Sequence, residues 1–497
     1  MAVVTPLVSR SRATYSAEPR HDVFLSFAGP DREPGRELAE NLRAIGLRVF
    51  LDEDGIGHFS GITTSIESAL GSSKCLVAYY SATYAVRPAC QLELMAAFLA
   101  GQREGDASRR ILVINPERST AHLQPVELAD AKYADPPITG DDANVIAHEI
   151  QRRIGSLDGV IGEASLKARR RWFGRRLAGG LGFSGRYREL WSLHSSLHSA
   201  DFPLILEPYY GTAVAVYGLP GAGKTALVMA YAWQFGAAYP GGVYWLSLSG
   251  VTGSRSEVVE GYRREVRRIA PFVGVDSAGE HEVFATVADT FARCRQKSLW
   301  IIDDLPTGLD PSALDSLLLP AGGDVRTVLI SQEDVFSAVM PSVRVGPLTA
   351  DDAHAVLARR RPSESHTERA ARDRLASALG YHAGAMVAIG DHLQDRQGLT
   401  SYSEFEGDVS TGRAHLAGLA EVRELLERLS TDERFLLNLA AACQSEVLPT
   451  SLLKQVSSCH DIDVGAALTD LRRRAIAERE GTSWRIHPLA VTLLAET

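Results

Sequence analysis

An α/β protein of several domains is the fold the sequence predicts, and three stretches carry that reading. Between His21 and Pro136 apolar strand patterns alternate with helix patterns, as in a parallel sheet covered on both faces. Residues Thr212 to Thr225, TAVAVYGLPGAGKT, pass from a buried-strand pattern through a glycine-rich loop into a helix-forming run. Residues Ser298 to Leu305, SLWIIDDL, make a further apolar strand ending in paired carboxylates.

Taken in order, Asp22 to Phe27 (DVFLSF) reads as a buried strand. Asp31 to Ile45 sets Leu38, Leu42 and Ile45 on one helical face, and Gly46 ends it. Leu47 to Leu51 is the second strand, Ile62 to Leu70 the second helix, Lys74 to Tyr80 the third strand and Cys90 to Ala100 the third helix. Arg110 to Asn115 gives a fourth strand and Asp141 to Ile154 a last helix. Ligands of such sheets bind at the carboxyl ends of the strands.

From Ser165 to Gly185 the composition turns basic and glycine-rich. Arg169, Arg170, Arg171, Arg175 and Arg176 surround Trp172 and Phe173. This reads as an interdomain linker whose aromatics dock on a neighbour; contact with phosphates or nucleic acid is the alternative.

Gly218-Leu219-Pro220-Gly221-Ala222-Gly223-Lys224-Thr225 fits GxxxxGK[ST] at every fixed position, between a strand and a helix. Glycines let backbone N–H groups converge on phosphate oxygens, and the helix start adds a favourable dipole. Gly218, Gly221, Ala222, Gly223, Lys224 and Thr225 are therefore candidate nucleotide contacts. Lys224 is placed for the β- and γ-phosphates, and Thr225 for magnesium. Asp303 reads as the magnesium-side carboxylate and Asp304 as the one that orients water. A bare strand–helix turn, or a strand that merely meets a loop, is the plainer reading of each motif alone. Their order along one chain favours a P-loop NTPase α/β domain that takes ATP or ADP with magnesium.

Composition bounds the rest. At 497 residues the chain exceeds one core, and roughly three domains are expected. The formal charge of −9 gives no global case for nucleic acid, which is not expected as a partner. No run reaches the about 18 apolar residues of a membrane helix, and no membrane partner is expected. The amino-terminal MAVVTPLVSRSRATYSAEPR lacks the flanks of a secretory signal and reads as a flexible lead-in. Cys75, Cys90, Cys294, Cys443 and Cys459 are odd in number and far apart. His148-Glu149 is followed by Arg152, so no structural metal is expected, and a reduced, cytoplasmic setting is.

DVFLSFAGPD, GLRVFLDEDG and SATYAVRPACQLEL together resemble the three signature blocks of a TIR domain, which has a flavodoxin-like fold. The resemblance to its immune-type members implies an enzyme that splits NAD+ into nicotinamide and an ADP-ribose product. The carboxylate of their Cys-x-x-Glu-Leu motif falls on Glu93 as the catalytic residue. Such a carboxylate would stabilise an oxocarbenium-like ribose while nicotinamide leaves neutral; a dipole-favoured glutamate in a first helical turn is the plainer reading. Phe27, Ala28, Gly29 and Ala89 are the implied substrate contacts, Ala89 standing where plant-type members carry Trp. The loop Asp52 to Gly61 has Ser60-Gly61 in place of their Arg-Gly pair.

Phe183 to Leu190, FSGRYREL, resembles the entry motif of NB-ARC-type STAND nucleotide switches, placing Arg186 among the nucleotide-binding residues. RTVLIS (Arg326 to Ser331) sits where these proteins hold a sensor strand, with Gln332 near the sensor position. Val343 to Leu357 resembles the run into their small helical domain. Leu379 to Leu393 resembles their Gly-Leu-Pro-Leu segment, with Ala383 for the proline. Helices over Val422–Leu429, Arg434–Cys443 and Val464–Ala475, with a hairpin closed by Trp484 to Leu489, resemble a winged helix. There His487 matches a histidine that contacts the ADP β-phosphate, and Pro488 replaces the aspartate after it.

The domains expected are a flexible start (1–20), a TIR domain (21–156), a linker (157–182), a P-loop nucleotide-binding domain (183–342), a helical domain (343–415) and a winged-helix domain (416–497). The function implied is an ATP/ADP switch whose self-association into a homo-oligomer activates NAD+ cleavage in immune-type signalling. A non-catalytic TIR scaffold and a nucleotide-regulated DNA-binding protein using Arg472 to Arg474 are the alternatives. No repeat of sensing type is present, so the trigger falls to a separate partner, or the chain is a shortened form.

Overall fold

The computed structural model describes residues 20–51, 62–130, 141–163, 172–174, 183, 185–201, 212–251, 254–275, 282–319, 324–363, 365–395, 401–410, 419–443, 445–460 and 462–495. The lead-in before residue 20, the loop 52–61 and the arginines at 169–171 and 175–176 lie outside them.

The first sheet is parallel, in the order β2–β1–β3–β4: β1 (His21–Phe27), β2 (Val49–Leu51), β3 (Ser73–Tyr79) and β4 (Ile111–Ile114). It carries α1 (Arg32–Ala44), α2 (Ile62–Gly71), α3 (Pro88–Arg103), α4 (Val126–Asp130) and α5 (Asp141–Gly155). Alternation along β1 decides what each face meets. Val23 and Leu25 join a core with Leu38, Leu42 and Ile150 of α1 and α5. Phe24 joins the opposite core with Leu94 and Phe98 of α3. The strand order reverses between β1 and β3, so a crevice opens at their carboxyl ends.

The second sheet is also parallel, ordered β10–β6–β9–β8–β7–β5. Its strands are β5 (Trp172–Phe173), β6 (Ala213–Tyr217), β7 (Gly242–Ser247), β8 (Ser298–Leu305), β9 (Val325–Ser331) and β10 (Ser342–Arg344). Trp172 and Phe173, expected in a linker, thus add an edge strand to this sheet, with Trp172 paired to Val243. The central strands are buried and mostly apolar because both faces are covered, with Arg326, Thr327 and Asp303 among the exceptions. The covering helices are α6 (Tyr187–His198), α7 (Lys224–Gln234), α8 (Arg255–Ile269), α9 (Val283–Cys294) and α10 (Leu314–Leu317). A capping box of Ser254 and Glu257 starts α8.

Beyond β10 lie α11 (Ala350–Arg360), α12 (His366–Ala378), α13 (Ala383–Asp395) and α14 (Tyr402–Ser410). Thr349 caps α11 by accepting the Asp352 N–H. The last segment has α15 (Ala420–Glu427), α16 (Thr431–Ala442), β11 (Val447–Pro449), α17 (Thr450–Cys459), α18 (Val464–Arg473), β12 (Ala477–Glu480), β13 (Ser483–Ile486) and α19 (Pro488–Ala495). Its antiparallel sheet runs β11–β13–β12. The hairpin ends at Ile486; Pro488 and Leu489, expected to close it, begin α19, because proline is well placed at a first helical turn.

One buried core continues across the units. Phe98 of α3 meets Trp191 and His194 of α6 edge-on, at 5.1 and 5.3 Å between ring centroids. No helix among the described residues is long and apolar enough to cross a membrane.

Candidate functional sites

The P-loop candidates come together at the start of α7. Gly223 adopts φ 94°, a left-handed conformation that turns the chain into α7. Lys224 is buried, and its ammonium donates to the Gly218 and Leu219 carbonyls at 2.9 Å each. Burial lowers its pKa from 10.5 to about 8, although Glu421, Asp303 and Asp304 pull the other way. The Thr225 hydroxyl lies 3.3 Å from Asp303 Oδ1, so β8 brings its carboxylate to the start of α7. Asp303 is 1 % exposed and also accepts the Asp304 N–H at 2.9 Å. Asp304 has φ 59° and is exposed, its Oδ2 accepting from Ser247 of β7. This set fits a magnesium-bound nucleoside phosphate: a cation, the start of a helix, a hydroxyl and a carboxylate.

The helical segment closes on the same loop. Gly384, at the start of α13, donates its N–H to the Gly221 carbonyl at 2.9 Å. His382 Nδ1 accepts the Ala385 N–H, so its Nε2 carries the proton and donates to the Pro220 carbonyl at 2.9 Å. Burial pulls His382 down to about 4 and His487 to about 3, leaving both neutral at pH 7. His487 comes to this corner as the sequence implies, but one step back. Its Nδ1 accepts the Leu489 N–H, and its ring stands 6.1 Å from His382. Arg186 also acts at one remove. Its guanidinium donates to the carbonyls of Ala222 and Gly346 at 2.9 Å each and pairs with Glu189, so it braces the loop from behind.

The terminal segment docks on the nucleotide domain. Arg473 pairs with Glu333, and its carbonyl accepts the Asp334 N–H. Arg474 pairs with Glu433, and Arg344 reaches Glu478 and the Ala475 carbonyl. Two of the three arginines considered for DNA are thus already engaged with carboxylates of the chain itself.

In the first sheet, Glu93 of α3 stands at the crevice between β1 and β3. Its Oε2 lies 2.5 Å from Ser26 Oγ, and it is 6 % exposed. Ser26 Oγ lies 3.0 Å from the Tyr84 hydroxyl. Burial holds the Tyr84 phenol well above its ordinary range, so it remains a donor. Cys90 Sγ donates to the Phe27 carbonyl at 3.5 Å, and burial pushes the thiol up to about 12. The implied substrate contacts divide. Gly29 lies beside Arg87, and Ala89 is exposed in the first turn of α3. Ala28 is buried with Cys90 and Leu94. The Phe27 ring is a correction: it packs on Gly35 of α1, on the face of β1 opposite Glu93. The period of two along β1 dictates this, and places Ser26 beside Glu93 instead.

Sequence reasoning therefore missed Ser26, Tyr84 and His382. Ser26 had a signal, a hydroxyl inside an otherwise apolar strand, whereas the others depend on contacts that no spacing reveals.

Residues 23–145 match the family model of the TIR domain. No curated protein matches the chain in sequence. Among solved structures, it is similar to a Walker-type ATPase of Pyrococcus abyssi at 14% identity and a TM-score of 0.44, over 65% of this chain and 98% of that one. A Signal Transduction ATPase with Numerous Domains (STAND) protein with a tetratricopeptide repeat sensor, from Pyrococcus horikoshii, is similar at 16% identity and a TM-score of 0.30, over 65% of this chain and 43% of that one. The ORC2 protein of Aeropyrum pernix is similar at 16% identity and a TM-score of 0.38, over 63% of this chain and 94% of that one.

Proposed function

We propose that this chain, a TIR domain joined to a P-loop NTPase unit and a helical carboxyl-terminal segment, is a nucleotide-switched signalling protein whose TIR domain cleaves NAD+. The supporting observation is the place of Glu93: a carboxylate at the β1/β3 crevice of a domain that matches the TIR family, held by Ser26.

In the reaction proposed, the bond between ribose C1′ and the nicotinamide nitrogen breaks, and its electron pair leaves with neutral nicotinamide. Glu93 opposes the positive charge that develops on the ribose. Water then adds at C1′ and gives up a proton, yielding ADP-ribose. Gly29, which follows β1, lies beside Arg87, which precedes α3, so both are candidates to contact the substrate.

The nucleotide side supplies the control. Lys224 and the loop amides would hold the β-phosphate, and Thr225 and Asp303 would hold magnesium. A bound magnesium–nucleotide supplies charge neutralisation and, on hydrolysis, the reset. The clamp of His382 and Gly384 on the loop, with the docking of Arg473 on Glu333, corresponds to a closed, ADP-retaining state. ATP would favour an open state that self-associates and gathers TIR domains. We place the protein in the cytoplasm.

The test is nicotinamide release from NAD+ by concentrated protein with ATP and magnesium, compared with Glu93→Ala. A rate equal in both removes Glu93 from the mechanism. A second reading, a TIR scaffold without turnover, is favoured by the 6 % exposure of Glu93. It predicts ATP-dependent oligomers with NAD+ intact throughout.

A further inference from the structure

The helix that carries Glu93 is also the helix by which the TIR domain sits on the NTPase unit. On α3, two residues before Glu93, Gln91 is 3 % exposed and faces α6. The indole N–H of Trp191 donates to Gln91 Oε1 at 2.8 Å. The other end of the same carboxamide, Nε2, donates to the Tyr84 carbonyl at 2.9 Å. Tyr84 in turn meets Ser26, and Ser26 meets Glu93. A buried path thus runs from Trp191 of the nucleotide unit to the carboxylate of the TIR domain: hydrogen bonds lead to the Tyr84 carbonyl, the tyrosine side chain spans to its phenol, and hydrogen bonds continue through Ser26.

Its far end is tied to the phosphate loop. Trp191 belongs to α6, and α6 begins directly after Arg186, which grips the Ala222 and Gly346 carbonyls. Arg186 itself sits at φ 53°, a conformation that costs a non-glycine residue and persists only where surrounding contacts enforce it. Farther along α6, His194 Nε2 lies 2.9 Å from Glu127 of the TIR domain, and Ser195 Oγ accepts the Val126 N–H. A movement of the loop that frees Arg186 therefore acts on a helix that packs both on the TIR domain and on the end of α7, where His194 meets Tyr231 and Trp191 meets Phe235.

We infer that Gln91 and Trp191 are positioning residues through which the nucleotide unit restrains Glu93: the docked indole fixes Gln91, Gln91 fixes the Tyr84 segment, and Tyr84 with Ser26 keeps the carboxylate turned inward. Release of α6 frees the carboxamide, loosens the segment Tyr84–Val86 and lets the Glu93 carboxylate turn away from Ser26 into the crevice. This rests on the proposed reading of Glu93 as the NAD+ carboxylate. The coupling itself is a mechanical statement and has a readout of its own.

That readout is Cys90, buried beside Glu93, with Cys75 buried on the opposite face of the sheet and Cys294 exposed. The full-length ADP-loaded protein is labelled with iodoacetamide, and each cysteine is followed by peptide mass. Trp191→Phe removes the N–H but keeps a ring against Phe98 and Phe235; Gln91→Met removes both hydrogen bonds at similar volume. Each is expected to label Cys90 about fivefold faster or more, the scale set by losing one buried hydrogen bond, with Cys75 and Cys294 unchanged. The double variant should add little to either single one. In the same preparations kcat for nicotinamide release rises without ATP, while KM stays near that of the parent protein.

Cys90 labelled at the parental rate in both variants overturns the coupling. So does a parent protein that ATP activates while both variants stay at its ADP-bound rate. Faster Cys90 labelling without nicotinamide from any sample upholds the coupling and defeats the NAD+ reading instead.

Discussion

Ser26 and Lys224 show how single residues acquire a role from their surroundings. A serine hydroxyl inside an apolar strand needs a partner, and the only direction β1 leaves it is toward α3, where Glu93 accepts. Lys224 is shaped by burial. With its pKa lowered from 10.5 to about 8, the folded protein binds fewer protons than the unfolded chain between those values. Its contribution to the stability of the nucleotide-free protein therefore rises with pH across that window and is least below it. Phosphate reverses the balance, because it favours the charged ammonium. ADP affinity should then fall above pH 8, by up to about tenfold per pH unit, in calorimetric titrations from pH 7 to 9.5. A Lys224→Ala variant should retain no nucleotide through gel filtration.

Among elements, α6 and α13 matter most because each joins two units. Arg186 at the start of α6 satisfies two carbonyls at once, so Arg186→Ala leaves both without that donor. The expected loss is about 1–3 kcal/mol for each carbonyl that stays dry. A fluorescent ADP analogue should leave this variant at least tenfold faster, with Cys90 labelling also raised. The sequence foretold these elements unevenly. Strand and helix positions from β1 to α3, and those of β6, α7 and β8, were legible because parallel strands are continuous apolar runs and the loop motif dictates the helix after it; β7, α8 and α9 were not read. The helix Thr450–Cys459 was not, and neither was the edge strand at Trp172, whose two residues pair only because Val243 and Tyr244 lie open beside them. Of the candidate site, Glu93, Lys224, Thr225 and Asp303 could be named from the sequence, each by a motif. His382 and Gln91 escaped, since their partners Pro220 and Trp191 are distant in sequence and near only in the fold.

At the scale of the molecule, buried neutral histidines bind the units together. His198, the last residue of α6, is held down to about 4 by burial, as is His382, and His487 to about 3. All three folded values lie below the ordinary 6.5, so the unfolded chain binds more protons between pH 6.5 and these values. Their contribution to stability is full above pH 6.5 and is lost as pH falls toward 4. Thermal scans should show a melting temperature that declines over that range, and a His382→Gln variant should flatten part of the decline. In the function proposed, this arrangement is the closed state and makes the TIR site a dependent of the nucleotide unit, with α6 as the shared part. The most direct test measures nicotinamide release from NAD+ by the full chain loaded with ADP, the chain loaded with ATP and magnesium, and Glu93→Ala loaded with ATP and magnesium. The account predicts turnover in the second sample alone, at protein concentrations where oligomers form. Equal release from the ADP and ATP samples, or release that survives loss of Glu93, would contradict it.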